Sequence, residues 1–184
     1  MKELSLNVLD IAMNSVKAGA TLIGIAIEET EEKLTITISD NGCGMKSDFV
    51  ARLRDPFTTT RKTRKVGLGI PFYVLAAEQT GGSVEIISRH ESEHPTDHGT
   101  EVVAWFDKTS IDYTPLGDII STVVTLIQGS EGIDFVFSHS VNGARIFLDT
   151  REIREVLGGE IPLSSPEILT WISENLREQY SESE

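Results

Sequence analysis

Two β-rich runs joined by a short acidic turn constrain the fold of this chain most strongly. Residues 21–27 and 34–38 are rich in isoleucine and threonine, and the turn 28–33 between them is typical of a β-hairpin. Before them, residues 6–18 carry apolar side chains at helical spacing. The chain is therefore expected to begin with a helix that is followed by two antiparallel strands.

The remaining pattern predicts further helices and strands and leaves the domain organisation open. Helices are expected from near Ser47 to before Pro56, from about residue 70 to 80, at 116–128, and near 151–157 and 166–177. Strands are expected at 83–89, 99–106, 133–138 and 144–148. We predict an α+β domain over residues 1–107 and a small α+β module over 108–184. Alternatively, the second half extends the core of the first.

Charge and composition exclude several classes of protein. The 184 residues carry a formal net charge of −13, and both halves are acidic, which disfavours binding to nucleic-acid backbones. The longest nearly apolar stretch, 119–127, is far too short to span a membrane. The N-terminus has no signal-peptide pattern, so a cytoplasmic location is expected.

One short segment departs from the acidic background. Six basic residues and a single acidic one lie between Arg52 and Lys65. This segment is either a solvated loop or a binding region for a small anionic ligand.

Asp10 and Asn14 form the first candidate site. Their spacing of four places both side chains on one face of the predicted helix. An asparagine oxygen can ligate Mg²⁺, and a nearby carboxylate can orient or deprotonate a water molecule. Taken alone, the pair fits an ordinary solvent-facing helix surface better than a catalytic site.

Asp40 and the turn that follows it form the second candidate site. Asp40 lies at the end of a strand, and Gly42 and Gly44 allow a tight turn and the close approach of a flat ligand. A carboxylate there can accept a hydrogen bond from the exocyclic amine of adenine. An ordinary Asp-Asn-Gly turn has the same local sequence.

Gly67 and Gly69 precede the second long helix and form the third candidate site. The free N–H groups at a helix N-terminus bind anions, and here they would bind phosphates. Helices that start after a glycine and bind no ligand are also common, so this element alone leaves both interpretations open. The hydroxyl-rich, basic loop 58–65 is expected to close over those phosphates as a lid.

Considered together, these segments resemble the conserved boxes of the GHKL ATP-binding superfamily, which includes DNA gyrase B, the ninety-kilodalton heat-shock chaperone, histidine kinases, anti-sigma-factor kinases and MutL. The run 14–21 resembles MutL, whereas 56–61 and 67–70 resemble the catalytic domain of histidine kinases, and 98–100 resembles the strand whose threonine supports adenine. The resemblance covers about residues 5–107.

The resemblance implies a Bergerat-type α/β fold, a two-layer α+β sandwich whose mixed, mostly antiparallel sheet has helices on one face. It also implies ATP and Mg²⁺ as cofactors, with Asn14 as the metal ligand and Asp10 as the catalytic carboxylate. The residues implied in ATP binding are Asn14, Asp40, Gly42, Gly44, Met45, Thr59, Thr60, Arg61, Gly67, Leu68, Gly69 and Thr100.

The implied function is that of an ATP-dependent switch or a serine/threonine protein kinase that acts on a partner protein. The alternatives are a slow ATPase coupled to dimerisation, as in MutL and gyrase, and a nucleotide sensor without turnover. Hydrolysis is expected to be slow because Asp10 is one methylene shorter than the glutamate of the hydrolysing members. The four histidines are not placed as phosphoacceptors on a helix. They are expected at the surface, and His90, His94 and His98 form a candidate metal cluster within one loop.

Overall fold

A computed structural model describes residues 3–53, 69–141 and 143–183 of the chain. Every predicted helix and strand is present, with ends shifted by a few residues. The elements in chain order are α1 (Leu4–Lys17), β1 (Leu22–Glu29), β2 (Lys33–Asp40), α2 (Ser47–Leu53), α3 (Gly69–Gln79), β3 (Ser83–Arg89), β4 (Gly99–Asp107), α4 (Ile119–Gly129), β5 (Asp134–Val141), β6 (Ala144–Asp149), α5 (Thr150–Leu157) and α6 (Pro166–Glu182).

The strands form one six-stranded sheet in the order β3-β4-β2-β1-β5-β6. Strand β1 runs parallel to β5, and the other neighbouring strands are antiparallel. This confirms the mixed, mostly antiparallel sheet. The β1–β2 hairpin occupies the centre of the sheet, where both of its strands have neighbours on either side.

Helices α3, α1, α4 and α6 form a row that packs on one face of the sheet. Neighbours in this row contact each other, and the row follows the strand order, with α3 on β3 and β4, α1 on β2, α4 on β5 and α6 on β6. Alternate residues of the central strands are buried against the helices, as in the isoleucines of β1. The structure is therefore a two-layer sandwich around one hydrophobic cluster.

Helix α1 begins two residues earlier than its apolar pattern predicts. The backbone N–H groups of Leu4 and Ser5 donate to the carbonyl oxygens of Pro115 and Leu116 at 2.9 and 2.8 Å. Because the first N–H groups of a helix have no partner within it, these carbonyls satisfy donors that a capping side chain would otherwise satisfy. The nucleotide-binding candidates on α1 are thus held on a helix whose start depends on the segment before α4.

Residues after 107 continue the sheet and the helix layer of the first half. Strand β5 pairs with β1 along the whole of Leu22–Glu29, and α4 and α6 contribute to the same buried cluster as α1. This arrangement supports the alternative in which the second half extends the core. The boundary after residue 107 concerns independent folding and stays a prediction.

A buried polar network lies at the end of the sheet opposite to Asp40. His139 is 3% exposed; its Nε2 lies 3.1 Å from Glu29 Oε2 and its Nδ1 2.7 Å from Tyr180 Oη. Lys108 Nζ donates to Glu29 Oε1 at 2.6 Å. Burial lowers the pKa of His139, although the Glu29 carboxylate opposes that shift. The expected surface position of His139 is wrong, because the side chain follows Phe135 and Phe137 on the buried face of β5.

No helix in the described ranges is both long enough and apolar enough to cross a membrane.

Candidate functional site

A cavity of about 250 Å³ lies between the C-terminal half of α1, the beginning of α3 and the ends of β2 and β4. Its walls are mostly apolar, with a few polar groups that converge from different elements. The residues that line it are Ile11, Asn14, Ser15, Lys17, Ala18, Ile38, Asp40, Cys43, Gly44, Met45, Phe49, Ile70, Thr100 and Val102. This composition is typical of a pocket for a small organic ligand.

Asp40 is the most firmly held polar group of the cavity. Its Oδ2 accepts a hydrogen bond from Ser15 Oγ at 2.5 Å, and its Oδ1 accepts from the backbone N–H groups of Gly42 and Thr100 at 2.9 and 3.2 Å. An ionised carboxylate offers about four acceptor positions. Three donors from the protein therefore orient Asp40 and leave room for one donor from a ligand.

Thr100 lies beside Asp40 because the two residues are paired in the β2–β4 register. Its Oγ1 lies 2.8 Å from Ser88 Oγ on the neighbouring strand β3. Ser88 Oγ in turn accepts from the backbone N–H of Met45 at 2.7 Å. The predicted binding residues Met45 and Thr100 are therefore connected through Ser88, and the N–H of Thr100 links them to Asp40.

Gly42 and Gly44 are required by close approaches within the protein. A Cβ on Gly44 would lie 1.9 Å from the carbonyl oxygen of Arg89, and the φ of Gly44 is +67°. A Cβ on Gly42 would lie 2.9 Å from both the Cβ and the carbonyl oxygen of Ala18. Both glycines let the turn pack against its neighbours, and Gly44 also lines the cavity.

Asp10 and Asn14 lie one turn apart on α1, as their spacing predicts. Asn14 lines the cavity, whereas Asp10 is exposed and lies beside the start of α3. A Cβ on Gly69 would lie 3.0 Å from Asp10 Cβ and 3.6 Å from its Oδ2. The structure thus brings the predicted catalytic carboxylate to the helix N-terminus at which phosphates are expected.

Five predicted binding residues lie outside the described residues, namely Thr59, Thr60, Arg61, Gly67 and Leu68. Their assignment rests on the sequence alone.

Sequence reasoning missed several residues of the site. Ser15, which is 4% exposed, bonds Asp40, and Lys17 supplies a cation at the cavity. Both follow Asn14 at spacings of one and three, so the predicted helix already placed them near the site. The apolar wall residue Ile70 comes from α3, and only the packing of that helix against α1 shows its role.

The described residues contain no group of three or more His, Cys, Asp or Glu side chains placed to hold a metal ion. In the loop before β4, His90 Nδ1 lies 2.8 Å from Ser92 Oγ, and His98 Nδ1 lies 2.6 Å from the carbonyl oxygen of Gly42. These two rings are engaged in separate hydrogen bonds. Asn14 offers one side-chain oxygen, and a single protein oxygen is enough for an Mg²⁺ ion that takes its other ligands from phosphates and water.

The fold and the cavity together define an ATP-binding domain of the GHKL type. Residues 1–110 match the family described as "Histidine kinase-, DNA gyrase B-, and HSP90-like ATPase", and the chain belongs to that family. The match includes every residue that we assign to the nucleotide site.

Two similar curated proteins are kinases by name. The chain is 36% identical over 66 residues to the "Probable C4-dicarboxylate sensor kinase" of Bacillus subtilis. This match covers 36% of this chain and 12% of that protein. It is 30% identical over 91 residues to "Sporulation kinase A" of the same organism, covering 50% of this chain and 15% of that protein. The chain thus spans only a small part of the length of these relatives.

Solved structures extend the likeness beyond the matched family region. The Aquifex aeolicus MutL ATPase domain complexed with ADP superposes with a TM-score of 0.51 at 13% identity, covering 86% of this chain and 70% of that one. The N-terminal domain of a DNA repair protein gives a TM-score of 0.54 at 15% identity, covering 81% and 53%. At such identities the likeness concerns the fold.

Proposed function

We propose that the cavity binds the adenine of ATP and that the Asp40 carboxylate accepts a hydrogen bond from its exocyclic amine. The observation that carries this proposal is the anchored Asp40 carboxylate, which has three donors from the protein and one acceptor position left. Apolar side chains such as Ile11, Ile38 and Val102 line the same cavity. They provide contact for the faces of a flat base, and guanine offers no amine at the equivalent position.

The phosphates of ATP are expected between Asn14, Lys17 and the N-terminus of α3. Lys17 and Asn14 line the cavity, and α3 begins at Gly69 without an acidic residue in its first turn. N–H groups at a helix start stabilise anions through hydrogen bonds and the helix dipole. When bound, Mg²⁺ would neutralise phosphate charge, with the Asn14 side-chain oxygen as its protein ligand. Replacement of Asn14 by alanine is therefore expected to weaken only the Mg²⁺-dependent part of ATP binding.

We propose that the protein uses this site as an ATP-dependent regulator, either as a switch or as a serine/threonine kinase of a partner protein. The similarity to bacterial kinases supports phosphate transfer, and the fold likeness to the MutL ATPase domain supports the alternative of slow hydrolysis coupled to dimerisation. A nucleotide sensor without turnover is the third possibility. Asp10, beside Gly69, is the carboxylate that would orient or deprotonate the attacking group.

The expected partners are ATP and a protein, which is either a second copy of this chain or another regulator. A nucleic acid is disfavoured by the net charge of −13. A cytoplasmic location remains part of the proposal.

The fate of the γ-phosphate of labelled ATP tests the proposed activity. Wild-type protein, Asp10→Asn and the control Asp112→Asn, which changes an exposed loop carboxylate, are compared with ATP binding measured in the same samples. Release of phosphate that is lost only in Asp10→Asn would establish an ATPase with Asp10 as its base. Binding without release would favour a sensor or a kinase that awaits its substrate. Absence of ATP binding to the wild-type protein would refute the proposal.

A further inference from the structure

The turn 41–45 is held in place by the segment between β3 and β4. The backbone N–H of Glu91 donates to the carbonyl oxygen of Cys43 at 2.9 Å. Gly44 packs directly on the Arg89 carbonyl, and a Cβ on Gly99 would lie 2.0 Å from the Asp40 carbonyl oxygen. This segment and the strand ends that flank it, at Arg89 and Gly99, therefore contact the backbone of Asp40, Cys43 and Gly44, at and next to the carboxylate assigned to adenine.

His98 provides a side-chain contact between this segment and the turn 41–45. Its Nδ1 lies 2.6 Å from the carbonyl oxygen of Gly42, and a carbonyl oxygen can only accept, so Nδ1 must carry the proton. His90 in the same loop shows the opposite arrangement, because the N–H of Ser92 donates to His90 Nδ1 at 3.1 Å. A neutral His90 therefore carries its proton on Nε2.

Both backbone polar groups of Gly42 form hydrogen bonds with side chains. Its N–H donates to Asp40 Oδ1 at 2.9 Å, and its carbonyl accepts from His98. Thr100, two residues after His98, donates its own N–H to the same Oδ1. We infer that His98 is a positioning residue, which fixes Gly42 and thereby the orientation of the Asp40 carboxylate toward adenine. This inference rests on the proposed nucleotide site.

Titration calorimetry with ATP on a set of His98 variants tests this role. His98→Leu removes the donor, His98→Asn places an amide nitrogen near the position of Nδ1, and His98→Gln places one near that of Nε2. His94→Leu is the matched control, since His94 is an exposed residue of the same loop. Loss of one net hydrogen bond is expected to weaken ATP binding about fivefold in His98→Leu and His98→Gln, with near wild-type affinity in His98→Asn and His94→Leu.

Urea unfolding of each variant and ¹⁵N NMR of the imidazole rings separate positioning from folding. The inference predicts an Nδ1–H tautomer for His98 and an Nε2–H tautomer for His90, and an affinity loss that His98→Asn restores. Unchanged ATP affinity in His98→Leu, equal losses in all three His98 variants, or an Nε2–H tautomer at His98 would overturn it. If the wild-type protein bound no ATP, the proposed function would fail first, and His98 would then have no adenine contact to position.

Discussion

Replacement of Gly44 by alanine tests the close packing of the turn 41–45 against β3. The φ of +67° costs an alanine about 1–2 kcal/mol. The added Cβ would lie 1.9 Å from the Arg89 carbonyl oxygen, against an ordinary contact of 3.4 Å or more, so the turn and β3 must separate. Separation would break the bonds from Met45 N–H to Ser88 and from Glu91 N–H to Cys43. At about 0.5–1.5 kcal/mol each, these losses bring the expected total to about 2–5 kcal/mol.

Equilibrium unfolding in urea measures this loss against a matched control. Gly19 has a similar φ of +74°, but a Cβ there meets nothing within 4 Å. Gly19→Ala should therefore cost only the backbone penalty of about 1–2 kcal/mol, and both variants share the same small gain from a stiffer unfolded chain. If Gly44→Ala were no less stable than Gly19→Ala, the close approach of the turn to Arg89 would be refuted.

Three further predictions concern the rest of the fold. The free energy of unfolding should decrease as the pH falls below 6.5, because the unfolded chain then protonates His139 while burial lowers the pKa of that residue in the folded protein. Urea unfolding at several pH values measures this dependence. If the free energy of unfolding of His139→Gln changed with pH as steeply as that of the wild type, the prediction would be contradicted. Asn7 is 0% exposed and neither of its side-chain polar atoms has a partner in the described part of the chain, so Asn7→Leu should raise the unfolding free energy or leave it unchanged, and a loss above about 1 kcal/mol would argue against the unpaired state. Cleavage between residues 107 and 115 by limited proteolysis should make both halves susceptible to further digestion, since β5 pairs along the whole of β1. A stable fragment that ends there would establish 1–107 as an independent domain.

Local patterns predicted part of the geometry of the candidate site, whereas its role in nucleotide binding stays a prediction. The spacing of Asp10 and Asn14 and the glycines after Asp40 indicated a helix surface and a tight turn, and the structure places Asn14 and Asp40 at one cavity. Thr100 could be assigned only through the family resemblance. Its position beside Asp40 depends on the β2–β4 register, which pairs residues 60 positions apart.

Two sequence predictions failed, one at a local pattern that was missed and one at a long-range contact. His139 was expected at the surface, although period-two alternation with Phe135 and Phe137 places it on the buried face. Helix α6 was expected to end near Arg177 but continues to Glu182. The side chain of Gln179 there bonds both the N–H and the carbonyl of Phe147 on the edge strand β6. No local pattern signals such a contact.

Calorimetric titration of the wild-type protein and Asp40→Asn with ATP and with GTP tests the central claim most directly. The account predicts Mg²⁺-dependent ATP binding with a clear preference over GTP, and a loss of at least about tenfold in Asp40→Asn, because a hydrogen bond to a charged group is removed. Asp112→Asn should bind ATP as the wild type does. Equal ATP affinity in Asp40→Asn and wild type would contradict the assignment of the cavity to adenine.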